Sequence, residues 1–327
     1  MTLNFDPGHV RVRLALAALQ TGKVQVSAVT LNCERPDVAA VLRGRVADQA
    51  VLQLPLLFAL CGQAQARAAM LALAAARGEE CAPRLDSDVQ REAIREHLWH
   101  CLLDLPPLLG EPALQQEFVS VAKWVAEGNR AELHALLDSP RIAALQQHLH
   151  QIKDSHPAPT RLLPRLDARG SLAEWPRLSA KFCRLPDWRD MSAGTGAIAR
   201  QQQAAKKTTS LFSACWQARF DELREWATDE ARIGACGTVS AIPVAHGVGR
   251  SLVETARGLL MHEIVLDGDC VADYLIAAPT EWNFHPQGIL AQQLLGQKAA
   301  DRDALQQHVA RTVAALDPCV PWELECA

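Results

Sequence analysis

The sequence predicts a mainly α fold carrying small β-hairpins, an α+β class, and three observations carry that expectation. Alanine, leucine and glutamine abound while aromatics are only 5%, a composition weighted toward helix formers. Long stretches, about 36–76, 86–152 and 196–230, show the apolar spacing of helices. Two short stretches instead alternate on either side of a turn signal.

Each element follows in chain order. Val10, Val12 and Leu14 share one face, Gln20-Thr21-Gly22-Lys23 reads as a turn, and Val24 and Val26 resume the pattern, so 10–31 is a hairpin. Pro36 suits the first turn of a helical run to Ala76, with Pro55 and Gly62 marking a kink or break. Breaks across 86–152 are expected at Pro106-Pro107, Gly110, Gly128 and Ser139-Pro140. Residues 153–192 are rich in Pro, Arg and Asp and lack a period, so they read as a long loop or an internal boundary in one domain spanning 1–327. A second helical run covers Gly196–Glu230, and Leu259–Ile276 suits a hairpin around Asp267-Gly268-Asp269. Pro286 is expected to open a further helix, and Asp301 to cap another that ends before Asp317-Pro318.

Composition excludes some functions. A formal charge of −4 lacks the basic footprint of a nucleic-acid binder. No segment reaches the ~18 apolar residues of a membrane span, and MTLNFDPGHVRVR has none of the regions of a secretory signal. The expected compartment is the cytoplasm. Ten cysteines, none spaced C-x-x-C, exclude zinc ribbons and thioredoxin-like sites. Most are expected as small buried hydrophobes in a reducing cytosol.

Three segments stand apart. The first is Leu42-Arg43-Gly44-Arg45 followed by Leu60-Cys61-Gly62-Gln63-Ala64. The second runs from Glu254-Thr255-Ala256-Arg257-Gly258 to Ala278-Pro279-Thr280-Glu281-Trp282-Asn283-Phe284. The third is Asp317-Pro318-Cys319. Their order and spacing resemble the nickel–iron hydrogenase large subunit, with its L-R-G-R, C-x-x-C, A-P-R-G, P-T-x-W-N-F and D-P-C-x-x-C segments. Thr195–Arg200 is similar to its G-x-L-A-R, and Gly8-His9-Val10-Arg11 to its opening motif. The resemblance covers most of the chain, most closely residues 250–320, and implies a hydrogenase large-subunit-like fold.

The departures are chemical. In the resembled family two C-x-x-C pairs hold nickel through four thiolates, and two of these bridge to iron. Here the second member of each pair is Ala64 or Trp322, neither of which offers a lone pair to a metal. The following histidines are replaced by Ala68 and Glu325, and the glutamate of the opening motif by Pro7. With Ala327 as the last residue, no cleavable tail is expected. The resemblance therefore implies a protein that is not a hydrogenase and holds no nickel.

What is kept resembles the hydrogenase expression/formation family, HupK or HoxV. That resemblance implies a maturation scaffold that carries an Fe(CN)2CO unit transiently on Cys61 and Cys319. Arg257 and the Pro279-Thr280 pair would border the cyanides. The implied partners are a HypC-type chaperone, HypD and the true large subunit. Taken without the family, Cys61 and Cys319 read as packing residues, Arg257 as a partner of Glu254 or Glu263, and Thr280 as a turn cap. Trp282 reads as core, Asn283 as a backbone-bonding residue, and His246, His262 and His285 as ordinary histidines. Two other functions compete: a docking protein that binds chaperones without iron, and a redox or quinone-pocket subunit like the respiratory complex I relative of the fold.

Overall fold

The computed structural model describes residues 8–19, 22–58, 60–152, 161–166, 175–201 and 210–327. Two sheets organise it. The first sheet has the order β8-β2-β1-β9, with β8 the short strand Lys298–Ala299, and the second the order β3-β4-β5-β6-β7.

The first hairpin forms as expected. β1 (His9–Ala18) pairs antiparallel with β2 (Val24–Glu34), and Val10, Val12 and Leu14 are buried on its core face. The turn residues Gln20 and Thr21 lie outside the described residues. The C-terminal strand β9 (Trp322–Cys326) lies parallel to β1, so the two ends of the described chain share a sheet. Arg13 and Glu325 bond across that junction at 2.6 Å.

The second sheet exceeds the predicted hairpin. β6 (Gly258–Asp267) and β7 (Cys270–Ala277) form the hairpin, and β3 (Cys81–Leu85), β4 (Thr238–Ala245) and β5 (Val248–Thr255) extend it. β5 is buried along its whole length. A strand covered on both faces has no polar alternation to read in its sequence.

Helices cover both sheets. The 36–76 run resolves into short pieces, α1 (Ala47–Gln53) and α2 (Gly62–Ala76), with the break before Gly62. α2 packs its alanine face on β5. At Gly249 a Cβ would stand 2.1 Å from the backbone of Ala72 and Ala76, so only glycine permits this approach. The helical region from 86 contains α3 (Ser87–Trp99), which passes through a π turn into α4 (Leu105–Leu108). Pro106-Pro107 does not break it, because both prolines sit in the first turn of α4, where their missing N–H groups cost nothing. α5 (Gln115–Ala126), α6 (Arg130–Leu137) and α7 (Pro140–Gln151) follow, separated at Gly128 and Ser139-Pro140.

Of the stretch 153–192, residues 153–160 and 167–174 lie outside the described ones; α8 (Ala180–Arg184) lies within it. The 196–230 run contains α9 (Ala197–Arg200) and α10 (Leu211–Ala227). After β7 comes α11 (Pro279–Asn283), which Pro279 opens. Pro286 opens no helix; α12 (Ile289–Leu294) starts behind Gly288. α13 (Arg302–Leu316) is capped by Asp301, which accepts from the Ala304 amide at 2.8 Å. No described helix is long and apolar enough to cross a membrane.

Candidate functional site

A cavity of about 210 Å³ opens where the two sheets and α2 meet, and Cys61, Arg257, Pro279, Thr280 and Cys319 all line it. Four separate chain segments bring them there. Each arrives by a local device that its own sequence supplies.

Cys61 is the residue before α2 and is held in a non-helical conformation. The first amides of α2 donate to Glu92 of α3, Gln63 N at 2.8 Å and Ala64 N at 3.0 Å, which satisfies groups that every helix start leaves open. Gln65 is buried one turn on and donates to the Cys61 sulfur at 3.6 Å. Cys319 follows the end of α13, where Asp317 adopts a left-handed conformation (φ 53°) that aspartate tolerates and Pro318 prevents further helix. Its amide donates to the Thr280 hydroxyl oxygen at 3.3 Å, and the same hydroxyl lies 3.1 Å from its sulfur. Thr280 therefore fixes one thiol rather than merely capping α11.

The two thiols lie within each other's electrostatic reach. Burial, with the Cys319 sulfur next in importance, pushes the Cys61 thiol up to about 12. It is a protonated thiol at neutral pH.

Arg257 occupies the tight turn between β5 and β6. Its Nη1 donates to Glu96 at 2.5 Å and its Nε lies 3.1 Å from Asp317. The pairing with Glu254 or Glu263 that the sequence suggested does not occur. Glu254 is held by Arg200, and Glu263 by Arg250 and Arg177, because β5 and β6 turn those carboxylates away from the loop. Asp317 also bonds His100 Nε2 at 2.9 Å. Arg257 and His100 together hold its carboxyl well below the usual range despite burial. Glu96 moves the other way, up to about 7, because burial, Asp317 and Glu92 outweigh Arg257.

Sequence reasoning missed Arg35, which follows β2 and lines the same cavity. Its Nη1 donates to both carboxylate oxygens of Glu281, at 2.9 and 3.1 Å. The only sequence signal for it was its place beside Pro36. Cys33, on β2, also lies within electrostatic reach of Cys319 without lining the cavity.

The remaining motif residues have other tasks. Leu42 is core, Gly44 donates to the Val271 carbonyl, and Arg43 pairs with Asp273 and Asp37, so this segment straps the 38–45 region to β7. Trp282 is fully buried against Trp175 and Phe182, and the Asn283 side-chain Oδ1 accepts from the Thr195 backbone amide at 2.9 Å. His262 is buried against Tyr274, His285 bonds the Gln287 amide, and His246 is exposed. Ala64 and Ala68 lie on the buried face of α2, and Trp322 and Glu325 belong to β9.

A second polar cluster, His97, Glu222 and Cys236, is buried with its donor atoms within 4.8 Å of one another. Arg200 grips both Glu222 oxygens, at 2.5 and 2.9 Å, and Glu254 at 2.8 Å. The carboxylate is thus already neutralised and the cluster is a structural network.

A family model described as nickel-dependent hydrogenase matches residues 182–327. The HoxV hydrogenase expression/formation protein of Cupriavidus necator is 33% identical over 90% of this chain and 92% of its own length. The HupK expression/formation protein of Azotobacter vinelandii is 29% identical, covering 97% of each chain. Among solved structures, an NAD+-reducing [NiFe]-hydrogenase in the H2-reduced state superposes with a TM-score of 0.59 at 16% identity, over 93% of this chain and 94% of that one. The fold is that of the nickel–iron hydrogenases, and the chain belongs to the HoxV, HupK and HupV family of hydrogenase expression/formation proteins.

Proposed function

We propose that this protein is a non-catalytic scaffold of hydrogenase maturation that holds an Fe(CN)2CO unit between Cys61 and Cys319 and then yields it to the hydrogenase large subunit. The observation that carries this reading is the meeting of the two thiols, from opposite ends of the chain, in one cavity with Arg257 and Thr280. Soft thiolates suit an iron bearing π-accepting ligands. A guanidinium hydrogen bond to an iron-bound cyanide nitrogen is charge-assisted.

The donor set fits two-thiolate iron and not four-thiolate nickel. The second position of each former pair carries no sulfur, Ala64 lying on the buried face of α2 and Trp322 built into β9. Two ligands rather than four also suit release, since fewer bonds must be exchanged at handover. A HypC-type chaperone working with HypD is the donor this role requires, and the large subunit the acceptor.

Infrared spectroscopy of protein purified anaerobically from cells expressing the maturation proteins tests the reading. Cyanide and carbonyl stretching bands are expected, and Cys61→Ala or Cys319→Ala should abolish them. Bands that survive both substitutions would refute the assignment. A wild-type protein without bands that still captures the chaperone would instead be a docking protein.

A further inference from the structure

We propose that Arg35 is a second recognition residue of the cavity, forming with Arg257 a two-guanidinium clamp for the terminal acceptor atoms of a small linear anion. In the iron reading, on which this identification of the ligand rests, those atoms are the cyanide nitrogens.

The side chain of Arg35 is only 16% exposed, and that of Arg257 only 9%. A guanidinium carries five N–H donors. Arg35 spends Nη1 on Glu281, and among the described residues its Nε and Nη2 have no acceptor. Arg257 spends Nη1 on Glu96; its buried Nε, 3.1 Å from Asp317, makes no hydrogen bond among the described residues, and Nη2 has no acceptor there either. The buried Arg257 Nε without an acceptor is costly, and a ligand that accepts from it recovers that cost, while the Arg35 donors stand ready to bond the same ligand.

The carboxylates that hold the two arginines are Glu281, Glu96 and Asp317, and none of them lines the cavity. Both arginines line the cavity while these three carboxyl groups do not; Arg35 and Glu281 also border a neighbouring cavity with Asp37. The other polar lining of the two-thiol cavity is the Thr280 hydroxyl, the Gln65 amide and the two thiols. Arg35 also lies close enough to Cys319 and Cys61 for their charges to act on it. Glu281 in turn is anchored by the Ala278 amide at 3.2 Å, so the Arg35 head is held in place before any ligand arrives. Such a site selects an anion with acceptor ends over a neutral diatomic of the same size.

Thiocyanate is a suitable probe, because it is linear, anionic, ends in nitrogen and needs no iron. Its C≡N stretch, followed as thiocyanate is titrated into cargo-free protein, should report a saturable bound population. Arg35→Lys keeps a cation for Glu281 but removes the free arm. Arg35→Gln/Glu281→Gln keeps a hydrogen-bonded neutral pair in case the single change disturbs folding. Both should weaken binding about tenfold. The Cys61→Ala/Cys319→Ala variant should still bind the probe. Affinity unchanged in both Arg35 variants, or no saturable binding by the wild type, would overturn the clamp. A failure of the iron reading shows separately, as missing cyanide and carbonyl bands in cargo-loaded wild type beside normal thiocyanate binding.

Discussion

Arg257 lies between two carboxylates that titrate in opposite directions, and this sets the pH behaviour of the site. Folded Glu96 keeps its proton to about pH 7, whereas its ordinary value is 4.5. The folded state therefore binds the extra proton between those values, and stability falls as pH rises through that window. Asp317 is depressed by Arg257 and His100, so its contribution is present above the ordinary carboxylate range and is lost on acidification. Thermal melts from pH 5 to 8 should show wild type losing on the order of 2 kcal/mol relative to Glu96→Gln. Parallel curves would show that Glu96 titrates normally. The residues Cys61, Cys319, Arg257, Pro279 and Thr280 were legible in the sequence because motif order marks them. The partners of Arg257 were not, since Glu96 and Asp317 come from distant segments that only packing brings near. Arg35 lay outside every recognised motif, and its role depends on Glu281, far along the chain.

Among the elements, the hairpins and the breaks at Gly62, Gly128 and Ser139-Pro140 were readable because turn chemistry is local. The five-stranded sheet was not. β4 and β5 hold long buried runs, and without polar alternation such runs look the same whether strand or helix. α2 carries Cys61 at its start and is set by its seat on β5, where Gly249 meets the backbone of Ala72 and Ala76. Gly249→Ala should force the helix off the sheet, because backbone rather than a flexible side chain meets the added methyl. A loss of about 3 kcal/mol is expected in chemical denaturation, together with faster alkylation of Cys61 as its cover loosens. A melt indistinguishable from wild type would show that the seat is looser than this contact implies. The extent of β9 was also hidden, since pairing with β1 is a contact between the two ends of the described chain.

At the scale of the molecule, the fold is that of the nickel–iron hydrogenases. Segments around residues 97, 200, 222 and 254 are tied by one buried network, with Arg200 bonded to Glu222 and Glu254 and His97 bonded to Glu222 at 2.7 Å. Arg200→Met should leave two carboxylates without a cation and cost about 3–5 kcal/mol. Equilibrium unfolding would detect it, and a neutral result would mean that the pair is dispensable. The network reaches the Arg257 turn, where Arg200 Nη2 donates to the Ala256 carbonyl at 3.4 Å. The cavity that Arg257 lines gathers sulfur from residues 61 and 319 and offers sulfur from neither 64 nor 322. X-ray absorption at the iron edge of cargo-loaded protein reads this most directly. The account predicts two sulfur scatterers per iron, reduced when either Cys61 or Cys319 is replaced by alanine. An iron shell with no sulfur, or with four, would contradict it.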